Sequence, residues 1–153
     1  MQLDAYYDFM KNYAEMMEEI AAGESEKYAA VLSYDHKKMD KAVSNQQINN
    51  IRIAKMEEER DAEQEKAGFA GLTFSEILEK LDEGDKERFS QLFDRIKNAI
   101  YDIKYFNSKS LAFAQDGLKI IGSANKAQTK VTSYGKNGKF TDARSASIFE
   151  KKI

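Results

Sequence analysis

The sequence predicts an all-α protein: an elongated antiparallel bundle of three long helices and one short helix, followed by a largely irregular C-terminal tail. Apolar residues recur at alternating spacings of four and three over long stretches, which is the period of a helix face. The 153 residues include no proline and only 8 glycines, and proline is the residue that most strongly interrupts a helix. We therefore assign residues 1–130 to one helical bundle and residues 131–153 to a flexible arm.

The first helix is predicted over about residues 3–32. Its seam consists of large apolar residues at alternating spacing: Leu3, Tyr6, Met10, Tyr13, Met17 and Ile20. Gly23 lies inside this helix and is a point at which it can kink or divide, since a glycine in a helix interior costs about 1 kcal/mol relative to alanine.

The second helix is predicted over about residues 35–67. Ser33 or Asp35 is the candidate N-cap, and Gly68 is the residue that ends the helix. Its apolar residues are scattered among glutamines and asparagines, so we expect the least buried of the three long helices. We interpret the acidic segment EEERDAE as a solvated charged face.

A short helix is predicted over about residues 73–81. Thr73 and Glu76 have the spacing of a capping box, with Leu72 and Ile77 placed as its hydrophobic staple. The segment Asp-Glu-Gly at positions 82–84 ends this helix, and Asp85 is the predicted cap of the next.

The last helix, over about residues 85–130, carries a heptad seam that starts at Phe89. This seam becomes small and polar at Asn107 and Gly117. We assign Asn107 a structural role in fixing register, and we expect helix backbones to approach closely around Gly117. Several aromatic residues of this helix are interpreted as core: Tyr101, Tyr105, Phe106 and Phe113.

The residue types exclude several kinds of chemistry. The chain has no cysteine and a single histidine, His36, so thiolate sites and paired-histidine metal motifs are excluded. No glycine-rich phosphate-binding motif is present. We predict a protein that is not an enzyme and has no catalytic residues, metal or cofactor. The N-terminus lacks the pattern of a secretory signal and no apolar run approaches about 20 residues, which favours a soluble protein, without stable membrane insertion, in the cytosol.

Charge is distributed unevenly along the chain. Residues 57–87 contain twelve acidic and four basic residues, a net charge of −8, whereas residues 119–153 contain eight basic and two acidic residues, a net charge of +6. A basic tail is typical of binding to nucleic acid, anionic lipid or an acidic protein, and also of a solvated segment that binds nothing. The tail also carries apolar residues that a purely solubilising segment does not need: Phe140, Ile148 and Phe149.

The succession of segments resembles the FlgN-type flagellar export chaperones, which are bacterial cytosolic proteins. The resemblance covers nearly the whole chain. It includes EEIAAGESEKYAAVLSYD in the first helix, EEERDAEQEKAG in the second, the short TFSEILEKL element, KYFNSKSLAFAQDGLKII in the last helix and SYGKNGK in the tail. Proteins of this family hold hook-filament junction subunits before type III secretion.

The resemblance implies two functional segments, both in the tail. Tyr134, Gly135 and Gly138 match the segment that docks to the cytosolic domain of the export gate, beside the export ATPase apparatus. Phe140, Ile148 and Phe149 match, more loosely, the part that binds the C-terminal helices of the junction proteins. Two other classes stay open: a helical adaptor or scaffold that binds partners through its bundle face, and a tail-mediated binder of nucleic acid or membrane.

Overall fold

The computed structural model describes the backbone of residues 2–124 and the side chains of residues 3–117. It contains four helices: α1 (Gln2–Ser33), α2 (His36–Lys66), α3 (Phe74–Glu79) and α4 (Glu83–Ala124). Over the described range no residue lies in a strand, and the predicted all-α bundle of three long helices and one short helix is confirmed. The arm predicted over residues 131–153 lies outside the described residues, as does the predicted end of the last helix beyond Ala124.

The three long helices run up, down and up. Tyr13 of α1 contacts Glu57 of α2, and Lys27 contacts Gln46, so α1 and α2 are antiparallel. By contrast, α4 is parallel to α1, because Asp4 pairs with Arg88 near both N-termini and Lys27 contacts Asn107 further along. We call the end that contains α3 the α3 end, and the end that contains the connection from α1 to α2 the turn end.

A largely apolar core fills the α3 end. The predicted seams of the first and last helices lie in it, from Tyr6 to Ile20 on α1 and from Phe89 to Ile103 on α4, each residue being buried. Phe74 of α3 stacks on Phe93 with 4.3 Å between ring centroids. The cluster ends at Ala21, Ile53 and Ile103. Beyond these residues the buried side chains are mostly polar or small: Glu24, Lys27, Ala30 and Ser110.

The connection from α1 to α2 is short and tightly hydrogen-bonded. Asp35, one of the two candidate caps, is the N-cap of α2, and its side chain accepts from the backbone N–H groups of Lys37 (3.0 Å) and Lys38 (3.3 Å). Ser33 instead donates to the carbonyl of Ala30. Tyr34, between them, has a φ of 57°, which is uncommon for a residue with a side chain. Upstream, α1 is continuous through Gly23.

Of the predicted caps of the last two helices, that of α3 is right and that of α4 is wrong. The capping box of Thr73 and Glu76 is confirmed. The prediction that Asp85 caps the last helix is wrong. The Asp82 side chain accepts from the backbone N–H of Asp85 (2.9 Å) and its carbonyl accepts from Lys86 (2.7 Å), so α4 begins at Glu83. Asp85 pairs instead with Arg88, one turn further along.

Candidate partner-binding surfaces

The tail residues that the sequence singles out lie outside the described residues. They are Tyr134, Gly135 and Gly138, assigned to the export gate, and Phe140, Ile148 and Phe149, assigned to cargo. The structure does describe the helix that precedes them in the sequence, as far as Ala124.

Helix α4 continues past the turn end of the bundle. The ring of Tyr34, in the α1–α2 connection, lies 5.7 Å from the ring of Phe113. From there α4 runs on to Ala124, a distance of about 16 Å at 1.5 Å per residue. A Cβ placed on Gly117 meets no described atom within 4 Å. The close backbone approach that we expected at Gly117 is therefore not found, because α1 has already ended at this level.

Asn107 contacts a buried lysine that connects all three long helices. The Lys27 ammonium donates to the side-chain oxygens of Asn107 (2.5 Å) and Gln46 (2.9 Å), and it pairs with Glu24 (2.8 Å). Lys27 is only 7% exposed, and burying an ammonium requires such compensation. The structural role assigned to Asn107 agrees with this contact. The sequence does not predict the burial of Lys27, since a lysine is ordinarily expected at the surface.

A second buried polar cluster lies inside the apolar core at the α3 end. The Tyr13 hydroxyl donates to Glu57, and the Arg60 guanidinium lies 3.7 Å from the same carboxylate oxygen. Arg60 also lies over the Phe74 ring, 5.0 Å from its centroid. Arg60 is 1% exposed and Glu57 6%. The interpretation of EEERDAE as a wholly solvated face is therefore wrong at Glu57 and Arg60.

The sequence does contain a signal for this cluster. Ile53, Glu57, Arg60 and Gln64 follow the same heptad spacing as an apolar seam, and all four are the buried residues of α2. Gln64 donates to the carbonyls of Phe69 (2.8 Å) and Leu72 (2.7 Å), which fixes the connection to α3. Apolar periodicity alone does not reveal this seam, because charged and polar side chains continue it after Ile53.

Burial raises the pKa of two core tyrosines. For Tyr6, burial raises the pKa to about 12, and the positive charge of Arg60 opposes this rise. For Tyr13, burial raises the pKa well above its usual value of 10.0, the negative charge of Glu57 adds to the rise, and Arg60 again opposes it. Both hydroxyls therefore stay protonated at neutral pH. Because they are sealed inside the core, they serve the fold and not a surface chemistry.

The exposed face of α4 differs most from the sequence prediction. Tyr101 and Tyr105, interpreted as core, are 67% and 45% exposed. Tyr101 lies one residue after the seam residue Ile100, and Tyr105 lies two residues after Ile103. Each residue rotates a side chain by about 100° around a helix, so both tyrosines point away from the seam. Phe106 is half-buried and lies 6.2 Å from the ring of Tyr28 on α1.

Among the described residues, no group of three or more histidine, aspartate or glutamate side chains is arranged to hold a metal ion. His36 is exposed. Within the same range, each helix is either too short or too polar to cross a bilayer.

No protein-family model, no curated protein and no solved structure matches this chain.

Proposed function

We propose that this chain is a cytosolic export chaperone of the flagellar type III secretion system. It binds the C-terminal helices of hook-filament junction proteins, keeps these proteins unassembled and delivers them to the export gate. The order of segments in the sequence supports this proposal. The structural observation that supports it is the course of α4, which runs past the turn end as far as Ala124, about 16 Å beyond the level of Phe113.

Such an arrangement suits a protein that must contact two partners through one arm. In the proposal, Phe140, Ile148 and Phe149 bury their side chains against an amphipathic helix of the cargo, in the manner of helix-in-groove recognition. Tyr134, with Gly135 and Gly138, contacts the export gate.

The alternative function, an adaptor that binds partners through the bundle face, is favoured by one observation. Tyr101 and Tyr105 are large, partly apolar side chains that are exposed on α4, and tyrosine is enriched at protein interfaces. An adaptor of this kind binds its partners equally well without the arm, which separates it from the chaperone.

The salt dependence of cargo binding tests the chaperone proposal against a tail that binds nucleic acid. We expect the full chain to bind a purified junction protein from the same organism, with a dissociation constant that changes by less than about tenfold between 50 and 200 mM salt. Contact with six to ten phosphates instead lowers affinity by about 10³-fold or more over this range. Isothermal titration calorimetry measures the dissociation constant at each salt concentration.

Two matched variants of the arm serve as controls in this titration. The double substitution Ile148→Ser and Phe149→Ser removes apolar anchors and is expected to weaken cargo binding. The double substitution Lys151→Gln and Lys152→Gln removes charge from the adjacent positions and is expected to leave binding nearly unchanged. Three results contradict the proposal. They are weaker binding by the lysine variant than by the apolar-anchor variant, an affinity that falls steeply with salt, and no binding to the junction protein.

A further inference from the structure

Four residues of α4 form a continuous stripe on its exposed side. Lys97, Tyr101, Tyr105 and Lys109 follow one another at intervals of four residues, so each neighbours the next on the helix surface, in a row that winds by about 40° per step. The stripe extends over about 18 Å. We call it the tyrosine stripe.

The two central side chains are unusually accessible for their size. Tyr101 is 67% and Tyr105 45% exposed. Their rings lie nearly parallel, with 6.3 Å between centroids, and the Lys109 ammonium lies 5.7 Å from the Tyr105 ring. A pair of rings ordered in this way loses little conformational entropy when a partner covers it, because tyrosine has only two side-chain torsions.

The lysines at the two ends of the stripe are not used inside the bundle. On the same helix, Arg88 and Arg95 pair with Asp4 (3.1 Å) and Glu18 (2.5 Å) of α1. By contrast, none of the salt bridges among the described residues involves Lys97, Lys104 or Lys109. The stripe therefore combines an apolar aromatic centre with positive charges that the fold itself does not neutralise.

We propose that the tyrosine stripe is an interaction surface separate from the arm, and that it binds an amphipathic helix of a partner protein with acidic residues beside its apolar face. The rings of Tyr101 and Tyr105 contact the apolar residues of that helix. Lys97 and Lys109 pair with carboxylates of the partner helix that lie about one turn beyond its apolar residues at either end. This charge complementarity sets the position and orientation of the partner.

The neighbouring acids favour a protein partner over single-stranded nucleic acid. Asp94 and Asp102 are exposed and flank the stripe within two turns of Tyr101, so the lysines do not form an uninterrupted basic groove, and a partner can pair its carboxylates only at the two ends of the stripe. The tyrosine ring centroids are also only 6.3 Å apart, which is less than the about 7 Å that a base inserted between them requires at about 3.5 Å per contact. Stacking platforms for nucleic acids combine open ring faces with an uninterrupted basic groove.

A synthetic peptide tests the proposal directly with the full chain. The probe is an 18-residue helix with leucines on one face, glutamates on both sides of that face and one tryptophan. The chain has no tryptophan, so tryptophan fluorescence reports only on the probe. We expect saturable binding that weakens at least about tenfold, or about 1.4 kcal/mol, in the double variant Tyr101→Ser and Tyr105→Ser.

A matched control is available on α2. Ile48 and Ile51 are 56% and 71% exposed, and the double substitution Ile48→Ser and Ile51→Ser is expected to leave probe binding unchanged. The substitutions Lys97→Gln and Lys109→Gln are expected to weaken binding and to reduce its salt dependence. Circular dichroism checks that each variant is folded, which is expected because the substituted positions are exposed or half-buried.

Several outcomes overturn the proposal. They are the absence of binding to the acidic probe, equal binding of a probe with lysines in place of the glutamates, and unchanged binding by the tyrosine variant. Tighter binding of an oligothymidylate to the same face assigns the stripe to nucleic acid instead. The full chain with Ile148→Ser and Phe149→Ser in the arm should bind the probe as the unaltered chain does, so failure of the stripe and failure of the chaperone proposal are distinguishable.

Discussion

Replacing Arg60 with alanine is expected to lower the free energy of unfolding by about 3–5 kcal/mol. The guanidinium is sealed in the core, pairs with Glu57 and lies over the rings of Phe74 and Tyr13. Its removal leaves the Glu57 carboxylate buried without its cationic partner. It also leaves a cavity under Phe74, because the arginine contributes packing as well as charge.

Urea denaturation followed by circular dichroism measures this effect. The matched control is Arg52→Ala on the same helix, whose salt bridge with Glu19 is 3.2 Å long but exposed. An exposed pair contributes about 0–1 kcal/mol, so this variant should unfold close to the unaltered chain. A loss of less than about 1 kcal/mol in the Arg60 variant is incompatible with the buried cluster described above.

Alkaline pH is expected to destabilise the bundle steeply. Tyr6 and Tyr13 have a higher pKa in the folded chain than the usual 10.0, so above pH 10 the unfolded chain loses protons that the folded chain retains. The stability that these two hydroxyls contribute is complete below pH 10, and it is lost as the pH rises through the pKa of the folded chain, about 12 for Tyr6. With one proton per tyrosine, the free energy of unfolding falls by up to about 2.7 kcal/mol per pH unit in this range.

Unfolding measured in urea between pH 9 and pH 11.5 gives this slope. The double variant Tyr6→Phe and Tyr13→Phe keeps the apolar rings and removes both titrating groups. Its free energy of unfolding should fall much less steeply over the same range, because it lacks the two core hydroxyls. The remaining tyrosines and the lysines titrate in both proteins and contribute equally. Equal slopes in the two proteins would mean that the core tyrosines do not govern alkaline unfolding.

The parts of the fold that the sequence predicts well are those in which apolar periodicity decides the packing. The α1 and α4 seams, from Tyr6 to Ile20 and from Phe89 to Ile103, are buried as expected. Local capping chemistry predicts the start of α3 equally well, since Thr73 and Glu76 interact within four residues of each other. In these segments local preference and tertiary packing agree.

Polar residues are where sequence reasoning fails. Lys27, Glu57 and Arg60 occupy seam positions, and their burial depends on partners from other helices that no local pattern indicates. Tyr101 and Tyr105 fail in the opposite direction. They are aromatic and close to the seam in sequence, but they are offset from its residues by one and two positions, which turns them to the exposed side of the helix. The residues proposed for gate and cargo binding follow from the family resemblance, and they lie beyond the residues that the structure describes.

The central claim is that this protein binds flagellar junction subunits through its arm, and a paired capture experiment tests it most directly. The full chain and a chain ending at Lys130 are each used to capture proteins from a lysate of the host organism, and the captured proteins are identified by mass. Both chains should first show the same melting temperature, because the core cluster of the described residues lies between Leu3 and Ile103 and is present in both chains. The proposal predicts a junction subunit with the full chain alone. Capture of the same partners by both chains, or of no junction subunit by either, would contradict it.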